Sequence, residues 1–126
     1  MPVSVIDSPE IRALGRFLDV SAMRTELITS NLANIDTPGY QTRDINFHEE
    51  LERANSGDEL ALADFSPAVH EVRGLAVRPD GNNVSLEREG LLLAETQLKF
   101  QSAVEVLTSD FHRILSAIRE GGTPSS

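Results

Sequence analysis

Three histidines, His48, His70 and His112, are the residues best suited to metal or proton chemistry. His48 is followed by Glu49 and Glu50, and His70 by Glu71, so each offers part of a metal centre. A helix presents two ligands to one ion only when they stand three or four apart, as in H-x-x-x-H or HExxH. Neither spacing occurs, and adjacent side chains on a helix or strand diverge. His112 adjoins Phe111 and reads as a helix-surface residue near a C-terminal dipole end. No GxSxG, P-loop or GxGxxG is present, and nothing sets a base beside a nucleophile. We therefore expect no catalytic residue, no metal ligand, no cofactor and no small-molecule substrate; the chain reads as something other than an enzyme. Asn83-Val84-Ser85 has the form of a glycosylation acceptor, but a turn before a helix explains it equally well.

Composition narrows the classes further. The chain has 126 residues, 40% hydrophobic and 25% charged, which suits one folded domain. Five Phe, one Tyr and no Trp are few anchors for a compact core, which suggests an elongated shape. The formal charge of −9 is concentrated in the middle, where residues 48–83 carry three Arg against eight acids. Such acidity argues against nucleic acid and against an anionic membrane surface as partners. Cysteine is absent, so there is no disulfide framework. No run approaches the roughly 20 apolar residues of a membrane span. The start, MPVSVIDSPEIRALG, lacks a basic segment followed by a long apolar one, so no cleaved signal peptide is expected.

With chemistry set aside, the elements carry the information. Residues 8–35 read as a helix, with Ser8 as N-cap, Pro9 at the first position and Glu10 at the positive end of the dipole. Ile11, Leu14, Leu18, Ile28 and Leu32 mark its apolar side, with Ser21 and Thr25 interrupting the middle. Residues 84–119 read as a second, longer helix. Phe100, Val104, Leu107, Phe111, Ile114 and Ile118 form a heptad seam that extends back to Leu93. Leu98, Val106 and Leu115 lie off that seam, so the helix is apolar on more than one side. The tail GGTPSS ends the helix and frays. Between the helices, RDINF reads as a short extended segment. The acidic stretch 48–65 reads as a short helical turn or a loop. Ala68–Val72 and Leu75–Arg78 read as a small hairpin split by Gly74. The fold expected is mainly α: two long terminal helices forming a coiled-coil-like pair around a short irregular or β-hairpin insert. Its segments are a helix over 1–35, a turn and extended segment over 36–47, an acidic insert over 48–83, a helix over 84–119 and a flexible tail over 120–126.

The first helix runs into SNLANIDTPGYQTRDINF, a phrase longer than a helix end requires. Thr37 precedes a proline and is pushed out of the helical region. Pro38-Gly39 suits the centre of a type II turn, because proline fixes φ and glycine accepts a positive one. Asn34 and Asp36 can bond free backbone groups, and Tyr40 offers a ring and a hydroxyl.

Asn31, Leu32, Ala33, Asn34, Thr37, Pro38, Gly39 and Tyr40 match a pattern Ser/Asn-x-(Leu/Ile)-Ala-Asn-x-x-Thr-Pro-Gly-Tyr. In this the chain resembles the flagellar basal-body rod, hook and related axial proteins of bacteria. It is most similar to the short proximal rod members. The chain is short, QTRDINF resembles their ARDIDF, and DGNNVSLERE resembles their DGNTVDMDRE. Ser85 stands where that pattern has an acid, and it can still cap a helix. The resemblance covers residues 8–47 and 80–119. It implies a structural subunit of the bacterial flagellum, exported by the flagellar type III apparatus without a cleaved signal. Such subunits polymerise into a helical, torque-transmitting rod across the periplasm, with terminal helices ordered on assembly. The implied partners are other rod subunits, the base of the rod at the membrane ring, and the export apparatus. A second reading, from the seam alone, is a soluble helical-hairpin adaptor that takes one partner helix along Phe100–Ile118.

Overall fold

The computed structural model describes residues 8–54 and 66–122. The first seven residues, most of the acidic stretch at 55–65 and the tail at 123–126 lie outside the described residues. The elements run α1 (Pro9–Ala33), β1 (Arg43–Ile45), α2 (Phe47–Ala54), β2 (Val69–Glu71) and α3 (Leu86–Gly122). The fold is the mainly helical one that the sequence predicts, with two long helices packed together and a small antiparallel pair of strands between them.

Both long helices start on their expected caps. Ser8 Oγ accepts the Ile11 amide at 3.3 Å, with Pro9 opening the helix behind it. Ser85 Oγ accepts the Arg88 amide at 3.2 Å, so serine does cap α3 where the relatives' pattern has an acid. The two helices run antiparallel. Asn31 near the end of α1 meets Glu89 near the start of α3, and Ser8 and Ile11 share a groove with Asp110 and Ile114. The 37 residues of α3 pass the expected stop, because Gly121 and Gly122 continue the helix. Terminal glycines lower helix propensity without forbidding the last turn.

The strands differ from the sequence expectation in partner. Val69–Glu71 does not pair with Leu75–Arg78, which is not a strand. It pairs with β1 in the register Arg43↔Glu71, Asp44↔His70 and Ile45↔Val69. This places Ile45 at the core. Val20, Leu27 and Ile45 are buried together, with Met23 and Phe47 packed on them. Phe47 opens α2 and meets Phe17 edge to face at 5.1 Å, while the Lys99 ammonium sits 5.0 Å over its ring. The core is therefore built where α1, β1 and α2 converge. Along α3 the buried positions are Glu89, Thr96 and Ala103, one every seven residues. The line of α3 that faces α1 is polar and small, and the apolar heptad flanks it.

Candidate functional site

The turn phrase of residues 30–43 docks against a second turn at residues 78–84 through a dense set of hydrogen bonds. At the end of α1 the Asn34 amide donates to Ser30 and Asn31 carbonyls, and its side chain Nδ2 donates to Ser30 O at 2.8 Å. Thr37 then bonds Asn34 twice, through its amide to the Asn34 carbonyl and through Oγ1 to Oδ1, both at 3.0 Å. The Tyr40 amide donates back to Thr37 O at 3.2 Å, with Gly39 at φ 77°. A proline followed by a positive-φ glycine across such a bond is a type II turn.

The second turn answers the first atom by atom. The Gly39 amide donates to Asp80 O at 2.8 Å. Gly81, at φ 86°, approaches so closely that a Cβ there would lie 3.3 Å from Gly39 Cα. Asn82 reaches back with Nδ2 to the carbonyls of Asn34 and Thr37, at 2.9 and 2.8 Å. Its Oδ1 accepts from Arg78 and from the Val84 amide. Asn83 Oδ1 accepts the Thr42 amide at 2.6 Å, and its Nδ2 donates to Gln41 Oε1 at 3.0 Å. Arg78 also donates to the carbonyls of Val84 and Ile35. Buried backbone groups that water cannot reach cost about 1–3 kcal/mol each when unmatched. The amides of Asn82 and Asn83 match them here. Because the Asn83 amide is buried and engaged on both sides, the glycosylation reading of Asn83 fails on accessibility.

Asn31 is the pivot, 1% exposed and fully engaged. Its Oδ1 accepts from the Tyr40 hydroxyl at 2.9 Å and the Arg43 amide at 3.1 Å. Its Nδ2 donates to Arg43 O at 2.9 Å and Glu89 Oε1 at 3.2 Å. One side-chain amide thus pairs with Arg43 as a neighbouring strand would, closing that edge of β1, and also ties α1 to α3.

Below it lies a cluster of two arginines and two acids. Arg24 grips Asp44 with two bonds of 3.2 and 3.1 Å, and Arg88 bonds Asp44 Oδ2 and Glu89 Oε1, both at 2.8 Å. Burial pushes the Asp44 carboxyl up, but Arg24, the Ile45 amide and Arg88 together outweigh it and hold it below its ordinary value. For Glu89 the balance is opposite: burial outweighs Asn31 and Arg88 and raises it. Its Oε2 is buried without a donor among the described residues. The arrangement fixes the angle at which two long helices leave a common joint.

Of the motif residues, the structure gathers Asn31, Asn34 and Tyr40 into the joint, with Leu32 half-buried beside it. Thr37, Pro38 and Gly39 are exposed on its outside, as is Ala33. The seam residues divide. Ile28 is buried; Ile11, Leu14, Leu18, Leu93, Leu107 and Ile114 are half-buried; Phe100, Val104, Phe111 and Ile118 are exposed. His70 and His112 are exposed, and His48 pairs with Glu52 at the surface. Sequence reasoning took DGNNVS only as turn and cap residues, and missed Arg24, Asp44, Arg78, Asn82, Arg88 and Glu89. The tandem asparagines after a glycine were the available signal.

A family model described as flagella basal body rod protein matches residues 21–41, which contain the first half of the joint. The chain is 34% identical to flagellar basal body rod protein FlgB of Salmonella typhimurium, over 82% of this chain and 88% of the relative. It is 32% identical to FlgB of Aeromonas hydrophila, over 81% and 86%. It is 35% identical to FlgB of Cereibacter sphaeroides, over 76% and 83%. At this identity and coverage the chain belongs to the FlgB family of flagellar basal body rod proteins.

Proposed function

We propose that this chain is a structural subunit of the flagellar basal-body rod, which polymerises through its terminal helices into the torque-transmitting shaft across the periplasm. The names of its relatives support the rod. The observation that carries polymerisation is the exposure of Phe100, Val104, Phe111 and Ile118 on one stripe of α3. A rigid joint holds that stripe in a set direction, and contiguous apolar surface of this kind marks an interface. In this reading residues 1–35 and 84–119 make the subunit contacts, 36–47 with the second turn at 78–84 sets their angle, and the rest of 48–83 spaces them. The partners are other proximal rod subunits and the base of the rod at the membrane ring. The chain reaches them through the flagellar export apparatus without cleavage of a signal. No helix among the described residues is long and apolar enough to cross a membrane.

Replacing Pro38 and Gly39 together by alanine tests this. Gly39 holds a positive φ that alanine adopts only at a cost of about 1 kcal/mol or more. Incorporation into basal bodies and swimming should fall further than the helicity of the isolated chain. Unchanged motility in that variant overturns the reading.

A further inference from the structure

An open groove of about 440 Å3 lies between the long helices, lined by Ala22 and Thr25 of α1 and by Gln97, Phe100 and Gln101 of α3. Its α1 wall is built of small side chains. Beyond that wall, Asp19 and Glu26 stand seven residues apart with Ala22 between them, all three exposed. On α3 the same period recurs with hydrogen-bond donors: His112 and Arg119 stand seven apart with the exposed Leu115 between them. Arg119 is already engaged within its own chain, and a guanidinium's five donors allow a second acceptor.

Helical geometry decides whether these features can meet. At 100° per residue, Thr25 turns from Ala22 toward α3, while Asp19 and Glu26 turn away from it. On α3, Leu115 has Phe111 and Ile118 on one side and His112 and Arg119 on the other. Consider a second α3 laid in the groove parallel to the first and antiparallel to α1. Leu115 then sits over Ala22 and Thr25, and Ile118 comes level with Phe100 and Gln101. His112 faces Glu26, and Arg119 faces Asp19. The opposite direction puts His112 and Arg119 over Phe100 and the apolar side over the acids. Only one polarity sets the donors against the carboxylates and the apolar side against Phe100.

From this we infer that a second copy of the chain docks the Leu115 face of its α3 into the groove between α1 and α3. The inference rests on the polymerisation reading above and names the contact. Within one chain, Ala22 and Thr25 lie level with Gln97 and Gln101. Bringing Leu115 of the next copy to that level shifts it by roughly 17 residues, or about 26 Å, along α3. Both copies point the same way and the two faces differ, so the contact is heterologous and repeats without closing. The docked knob covers part of the stripe that a single chain leaves bare.

The chain has no cysteine, which makes a cross-link test clean. Cells carrying Ala22→Cys with Leu115→Cys as their sole copy are oxidised, and basal bodies are isolated. A cross-linked dimer is expected, and none from either single variant. Independently, Asp19→Arg with Glu26→Arg should lower incorporation about tenfold, the scale of two reversed surface ion pairs. His112→Glu with Arg119→Glu should do the same, and all four changes together should restore it. Normal incorporation of every charge variant without a cross-link overturns this contact while leaving the rod reading intact. Absence of the native chain from basal bodies overturns both.

Discussion

The two ends of α3 differ in how far polar contacts hold them, although Leu86 and Leu91 are exposed at the first end too. Its first turns, from Leu86 to Glu89, are pinned by Ser85, Asn31, Arg88 and the turns behind them, and Glu89 is wholly buried. From Phe100 to Ile118 the same helix carries apolar side chains in the open. Polar contacts close the fold within one chain because they demand particular partners and become costly when half made. Apolar contacts ask only for shape and volume, so a surplus can wait for another molecule. The joint fixes geometry, and the stripe leaves apolar surface open.

The largest effect that would test this contrast is Asn31→Ala. It leaves the Arg43 amide and carbonyl, the Tyr40 hydroxyl and Glu89 without their shared partner. We expect a loss of about 3–5 kcal/mol in urea unfolding. A loss below about 1 kcal/mol would mean that the joint is not the seat of stability. Acid should then separate the two carboxylates. Asp44 lies below its ordinary value in the folded chain, so its contribution is present above the unfolded value of about 3.9 and is lost as pH falls through the folded one. Glu89 lies above its ordinary value, so its penalty is present at neutral pH and is relieved as pH falls. The melting temperature should therefore rise on mild acidification before it drops. Glu89→Gln should remove the rise and keep the drop. The smallest effect is expected from Phe111→Ser, within about 0.5 kcal/mol in the isolated chain because the ring is already exposed. A larger loss would show that the stripe is packed inside the single molecule.

Local physics made half of this legible in the sequence. The apolar spacing placed both helices, Ser8 and Ser85 marked their starts, and Pro38-Gly39 announced the type II turn. Each of these depends on neighbours a few residues away. The partners of the turn stand some 40–58 residues further on, as with Asn82 to Asn34 and Asn31 to Glu89, and amides and carboxylates carry no period that links them. The strand pairing failed to show for a related reason. A strand of three residues has little pattern, and Asn31 and Asn83 hold only its start, at Thr42 and Arg43. The heptad of α3 was visible, but periodicity alone does not say which side a neighbour takes. The side facing α1 is Glu89, Thr96 and Ala103.

The contact of Gly39 with Gly81 bears on the order in which the chain matures. Made from its amino end, the chain presents its first turn long before the second exists. Until Asp80, Asn82 and Asn83 follow, the amides of Gly39 and Thr42 lack their partners, and the carbonyls of Asn34 and Thr37 lack their second donor. The first turn therefore reaches its full set of partners only when the last third of the chain is present.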